Sequence, residues 1–272
     1  MAGKKPNRVS EIEANNTYNT RKIRNDSASK ISSEGMEDLL QAAGKVVRND
    51  ILANWGIGIT LVLGLYFVWP LILTIVCIAF KIYVRKTSAI HLAYDDVDDM
   101  NCTAKDYSKI VAAVQSRKVW RVIESSQVKN RKYAAGAGSL NKLKKCKASE
   151  KAPFPFTVDV ECASFRSRRE TLFFLPSMLI VIQGFRVGAV NYSDLDLKVY
   201  PKQFIESGSV PSDATVVGRT WKYVNKSGGP DARFNDNKEL PVCLYGRIDV
   251  RSPQGLDTQI MFSRSAVFGT ES

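Results

Sequence analysis

The sequence predicts an α+β membrane protein: a short transmembrane helical hairpin followed by a mainly antiparallel β domain, a sandwich or small barrel carrying one or two helices. Three observations predict it. The run Ile51–Val84 is apolar almost throughout, and a period of two in hydropathy sets in beyond Pro153. Clusters of Gly, Pro, Ser and Asn then separate one strand-like run from the next. About 185 residues follow the apolar run, enough for one well-buried core.

Residues 1–34 are polar and mixed in charge, without an early apolar core, and are expected to form a disordered tail with no secretory signal. In residues 35–50 the apolar positions Met36, Leu39, Leu40, Ala43 and Val47 recur at helical spacing. This describes an amphipathic juxtamembrane helix lying on the bilayer surface, or else an extension of the first membrane helix.

Residues 51–86 form the membrane segment. As one straight helix, Ile51–Val84 would reach about 51 Å, against a hydrocarbon core of about 30 Å. Pro70 sits at its middle, removes a backbone donor and predicts a break near Phe67–Pro70. Two helices in a hairpin, Ile51–Phe67 and Leu71–Val84, are favoured over a single kinked span. Lys45 and Arg48 precede the segment and Lys81, Arg85 and Lys86 follow it, so a hairpin with both flanks inside agrees with the charge rule. Gly56, Thr60 and Gly64 repeat every four residues, the small-residue spacing that lets helices approach closely in lipid. Such a face predicts packing within the membrane, including a homo-oligomeric contact.

Residues 87–272 form the soluble α+β domain. The run AIHLAYDDVDD reads as a strand and an acidic turn, and the four carboxylates Asp95, Asp96, Asp98 and Asp99 are expected to be solvated surface rather than a metal cage. Thr103 and Asp106 have N-terminal capping spacing, and Tyr107, Ile110, Val111 and Val114 share one face, which predicts a helix over about 104–118. Residues 129–151 are read as a flexible basic loop, since KLKKCK and the Arg131–Lys132 pair flank the small-residue stretch AAGAGSL. Arg131, Lys132, Lys142, Lys144, Lys145 and Lys147 are therefore the candidate residues for an anionic partner. Phe156–Cys162 and Asp194–Val199 alternate with period two, and TLFFL, MLIVIQ, RVGAVNY, TVVGRTWKYV, LPVCLYGRIDV and TQIMFS add further strands. Asp231, Arg233, Asn235 and Asn237 sit in a long connection, where local turn hydrogen bonding accounts for them.

Composition narrows the function classes. The net charge of +12 divides as +2 up to Asp50, +3 over 51–86 and +7 beyond, so the basic surplus lies mainly in the soluble part. Its natural partners are phosphate arrays, either anionic headgroups or nucleic acid. Cys77, Cys102, Cys146, Cys162 and Cys243 have no metal-ligand spacing, and their odd number argues against a disulfide framework. They are expected to be buried free thiols in a reducing compartment. His91 is the single histidine and lies beside the membrane, so a His-dependent nucleophile has no support, and no cofactor motif is found: GxGxxG fails at Asn141.

The stretches LFFLPSMLIVIQGFRVGAVNYSDL and TWKYVNKSGGPDARFNDNKELPVCLYG resemble segments of uncharacterised bacterial proteins with membrane helices and β domains, over roughly 118–263. The layout is similar to the two-helix membrane effectors of anti-phage systems, including those of retron type. With the short spans, their glycine face and the basic loop, that resemblance points to a non-enzymatic, toxin-like effector of the bacterial inner membrane, and the basic flanks and free thiols place its N- and C-terminal parts in the cytoplasm. Its basic domain would sense or be restrained by an anionic partner, such as nucleic acid or a complex containing it, and its hairpin would perturb the bilayer on release. The alternative is a membrane-tethered adaptor that docks a protein or an anionic lipid.

Overall fold

The computed structural model describes residues 16–31, 37–67, 69–92, 104–168 and 170–269. Their centre is a mostly antiparallel sheet of eleven strands in the order β10-β12-β13-β3-β4-β6-β7-β8-β9, with β1 added on β3 and β11 on β12. The strands are β1 (Thr17–Lys22), β2 (Ile90–Leu92), β3 (Val119–Val128), β4 (Ser139–Ser149), β5 (Phe156–Val158), β6 (Ala163–Ser167) and β7 (Glu170–Phe174). They continue as β8 (Met178–Gln183), β9 (Arg186–Asn191), β10 (Asp196–Ile205), β11 (Thr215–Trp221), β12 (Glu239–Arg251) and β13 (Asp257–Phe262). β2 and β5 make a separate parallel pair, Ile90 opposite Phe156.

Long strands let two partners share one edge. On β3, residues 119–122 pair with β13 and residues 124–128 pair with β1. On β12, residues 246–251 pair with β13 and residues 239–244 pair with β11. The sheet coils over itself, so its two arms enclose one apolar core: Phe165, Phe174, Leu179 and Val181 from one arm meet Ile248, Val250, Ile260 and Phe262 from the other. A right-handed twist accumulated over many strands produces such closure. The helix α3 (Ala104–Ala113) plugs this core with Tyr107, Ile110 and Ala113; it ends five residues before the expected boundary because Lys118 is already tied to Ser263 beside β13.

The expected disordered tail does not hold for residues 16–31. β1 pairs with β3, and residues 23–31 form a strap whose Ile23, Ala28 and Ile31 are buried. Gly188 on β9 makes the close approach feasible, because a Cβ there would lie 2.1 Å from the Ala28 carbonyl oxygen and 2.4 Å from that of Ile31. The strap is further held by Ile23 N donating to Ile123 O, 3.0 Å, and Asp26 N to Gly255 O, 2.9 Å. Local polarity concealed this segment: three apolar residues suffice when the acceptors that satisfy its backbone come from strands 100 to 230 positions away.

The amphipathic stretch and the first apolar half are one continuous helix, α1 (Glu37–Gly64). Its lower face, Leu40, Ala43 and Val47, packs on Phe173, Ile180, Val187 and Ala189 of the sheet. The apolar face expected on the bilayer surface is thus covered by β7–β9, because a folded sheet removes it from water as effectively as lipid does. Helix α2 (Trp69–Thr87) returns against α1 after a turn that begins at residues 65–66. The break falls before Pro70, not at it: Pro70 is the second residue of α2, where its missing N–H is not needed. Among the described residues one helix, α1, is long and apolar enough to cross a membrane, and α2 carries Lys81, Arg85 and Lys86 in its second half.

The basic loop of 129–151 is also corrected. Residues 139–149 are strand β4, paired with β3 along its length and with β6 at its end, and Arg131–Tyr133 is a single turn of 3-10 helix. The consecutive lysines are compatible with a central strand because their heads reach solvent on either face while Cys146 and Ala148 enter the core. The alternation expected for 156–162 survives only as β5. The acidic turn 95–99 and Cys102 lie outside the described residues.

Candidate functional site: a basic cleft beside the helical hairpin

Strand alternation decides what becomes of the basic cluster. Lys142 and Lys144 share a face with their cross-strand partners Glu124 and Arg121, whereas Lys145 lies opposite Trp120 on the other face, and Lys147 follows it there. Arg131 and Lys132 lie at the far end of the β3–β4 connection. There Asn130 caps the turn, Val224 N donates to Lys132 O, and Tyr223 stacks on Phe234 at 4.1 Å between ring centres. Of the six candidate residues, the fold brings Lys142 and Lys144 together and separates the rest.

These two lysines line an open cleft of about 960 Å³. Its floor is β3 and β4, with Arg121, Glu124, Lys142 and Lys144. β1 contributes Lys22 and the strap Ile23, Arg24 and Asn25; Arg168 follows β6, and Phe185 and Arg186 lie at the β8–β9 turn and the start of β9. Seven of the lining side chains are cationic and two, Glu124 and Glu170, are acidic.

Charge at the floor is largely neutralised. Arg121 and Glu170 form an ion pair with side-chain exposures of 9% and 14%. Glu170 also accepts from Asn25 and from Gln183, while Arg121 Nη2 donates to Thr258 Oγ1 at 3.3 Å. Asn25 in turn accepts from Asp257 N at 2.9 Å and Thr258 Oγ1 at 2.8 Å, so one hydrogen-bonded network joins strap, floor and β13. Around it, Lys22, Arg24, Lys142, Lys144 and Arg168 form no ion pair among the described residues, although Glu124 lies directly across the strands from both Lys22 and Lys142. Arg186 donates to Ser27 Oγ at 2.9 Å. Arg168 holds φ at 51°, directly after the Ser167–Glu170 strand pair that ends β6. A non-glycine residue in this region costs about 1–2 kcal/mol, a cost that the chain accepts where it places a cation at the mouth of the cleft.

Sequence reasoning missed Lys22, Arg24, Arg121, Arg168 and Arg186. The first two fall in the segment taken for a tail; the usable signal there was the apolar spacing of Ile23, Ala28 and Ile31. The other three are single cations in separate strands and turns, which only the fold assembles.

The hairpin is built as a closed unit. Thr74 Oγ1 donates to Thr60 Oγ1 at 2.8 Å, and Thr60 donates to the Gly56 carbonyl at 2.8 Å, both hydroxyls being buried. Gly56 faces Cys77, with 3.1 Å from a built Cβ to the sulfur, and Gly64 faces Leu71. The small-residue face is therefore occupied by α2 of the same chain, and a contact between copies would use another face. At its base Asp50 takes Arg85 through two hydrogen bonds of 2.8 and 3.4 Å, and Arg85 lies 5.5 Å from the centre of the Phe154 ring. Beyond that level Trp55, Ile59, Val62, Leu65, Phe67, Trp69, Ile75 and Ile82 are all more than half exposed.

Other polar groups have local duties. Asp231 accepts from Arg233 Nε at 2.9 Å, and the guanidinium holds its carboxyl down to about 2; Asn237 binds both N and O of Tyr223. Asn225 caps the turn at Ser227 and Gly229. Burial pushes the Cys146 thiol up to about 12, and raises those of Cys162 and Cys243, so these thiols stay protonated and unreactive. No protein-family model, curated protein or solved structure matches the chain, so a functional reading rests on its own geometry.

Proposed function

We propose that the protein is a membrane-tethered, non-enzymatic binding module: the α1–α2 hairpin sits in a bilayer, and the β domain presents its basic cleft to a phosphate-bearing ligand such as nucleic acid. The observation that carries this reading is a cleft lined by seven cations and two carboxylates, five of the cations forming no ion pair among the described residues. Placement at a bacterial inner membrane with the β domain on the cytoplasmic side is supported by Lys45, Arg48, Arg85 and Lys86, which flank both ends of the hairpin.

The test is anisotropy of a labelled single-stranded oligonucleotide with the full chain in detergent, over a salt series. Five displaced contacts at a slope of about −0.7 each predict about 100-fold weaker binding between 50 and 200 mM salt. Lys142→Gln with Lys144→Gln flattens the slope by about 1.4, while Lys145→Gln with Lys147→Gln, on the opposite face, leaves it unchanged. Equal losses from the two pairs would remove the cleft as the contact surface.

A second reading, the toxin-like anti-phage effector that the layout resembles, is favoured by one observation. From Asp50 to the end of α1 at Gly64 the hairpin reaches about 21 Å, short of a hydrocarbon core of about 30 Å, so its exposed aromatic tip strains the bilayer that holds it. Membrane potential separates the two readings: inducing the full chain in bacteria depolarises them if the hairpin is an effector and leaves the potential steady if it is a tether.

A further inference from the structure

A second cavity lies where α1 passes the β8–β9 turn, and it shares Phe185 and Arg186 with the cleft. It holds about 490 Å³ between Gln41, Gly44, Lys45 and Arg48 of α1, the Phe185–Val187 segment, and Ser29 and Lys30 of the strap. Gly44 sets its depth, since a Cβ there would stand 3.0 Å from the Phe185 carbonyl oxygen. Four cations, Lys30, Lys45, Arg48 and Arg186, face a single carboxylate, Glu37, and none of the four has an ion-pair partner among the described residues.

Position along α1 identifies the ligand. Arg48 and Lys45 precede Ile51 by three and six residues, about 4.5 and 9 Å of rise, while the headgroup layer adds roughly 5–8 Å to each side of the hydrocarbon core. Once the hairpin is inserted, Arg48 therefore stands within the headgroup layer and Lys45 just beyond it, where its flexible four-carbon stem reaches back to the lipid phosphates. Directly below, on the same helix face by the i, i+3, i+4 rule, is an apolar groove of about 500 Å³ lined by Ile51, Trp55, Gly58, Ile59 and Val62. A polar cavity with four cations that form no ion pair among the described residues, stacked on an apolar groove that runs down the same helix, matches a molecule with an anionic head and a long acyl chain.

We infer that this junction is a binding site for one anionic phospholipid, its phosphate held by Lys45, Arg48 and Arg186 and one acyl chain lying in the Ile51–Val62 groove. The inference rests on the membrane placement proposed above. The probes are vesicles of phosphatidylcholine alone or with phosphatidylglycerol, and phosphatidylglycerol retained in detergent, counted per chain by native mass spectrometry. The wild-type chain floats with both vesicles and retains one phosphatidylglycerol. Lys45→Gln with Arg48→Gln keeps flotation but weakens retention by about 25-fold, at about fivefold for each cation near a charged surface. Ile59→Trp, which fills the groove without touching charge, also releases the lipid. Unchanged retention in both variants, equal retention of phosphatidylcholine, or equal retention of chainless glycerophosphate each overturns the site while leaving the anchor intact. Failure to float with either vesicle overturns the anchor and the site together.

Discussion

Glu170→Ala lowers the unfolding free energy by about 3–5 kcal/mol, the usual consequence of removing one partner of a buried ion pair. The cost arises from what stays behind. Arg121 is 9% exposed at its side chain, and its cross-strand neighbour is Lys144, so without Glu170 two cations face each other at the floor of the cleft. Asn25 and Gln183 lose their shared acceptor at the same time, which loosens the strap. For a folded unit of about 200 residues the loss appears as a fall of roughly 10 °C in Tm by near-ultraviolet circular dichroism. Arg121→Met combined with Glu170→Met recovers most of it, because a buried pair replaced by apolar groups of similar size is close to neutral. A double variant as unstable as the sum of the two single ones would mean that the two residues act independently. Oligonucleotide binding moves the other way, becoming tighter in Glu170→Ala as the cleft gains positive charge.

Gly56→Cys forms an intrachain disulfide with Cys77 almost completely under a mild oxidant. A Cβ built at Gly56 lies 3.9 Å from the Cys77 Cβ, inside the range of about 3.5–4.5 Å that a disulfide requires. The product runs faster on a non-reducing gel, and Cys77→Ser abolishes it. Crosslinking into dimers instead would show that the small-residue face is open to a second copy and would restore the homo-oligomeric contact that the spacing of Gly56, Thr60 and Gly64 first indicated. In the structure that face closes the hairpin, with the Thr60–Thr74 hydrogen bond satisfying both hydroxyls away from water.

Residues with strong short-range signals were assigned correctly. The apolar run with Pro70 at its middle does turn back on itself, and the apolar stretches between Thr171 and Phe262 are strands; those of β7–β9 are buried on both faces, one in the core of the sheet and one against α1. Density of charge marks Lys142 and Lys144 as candidates together with four other cations, and of these six the fold brings these two into one cleft. Alternation within β4 could have separated them from Lys145 and Lys147, but the small residues of AAGAGSL suggested a loop; the strand forms because β3 and β6 hydrogen-bond to it on both edges.

The sequence by itself determined an apolar helical hairpin with basic flanks, a β-rich domain behind it and a surplus of cations. Each of these depends on the chemistry of neighbours within a few residues, which periodicity and composition record. Only the tertiary structure decided that residues 16–31 are a wall of the cleft rather than a tail, that the lower half of α1 rests on a sheet, and that Arg121, Arg168 and Arg186 join Lys142 and Lys144. Those contacts link positions from about 20 to 230 residues apart. Their stability comes from burial and hydrogen bonds that exist only once the sheet has coiled over its own core.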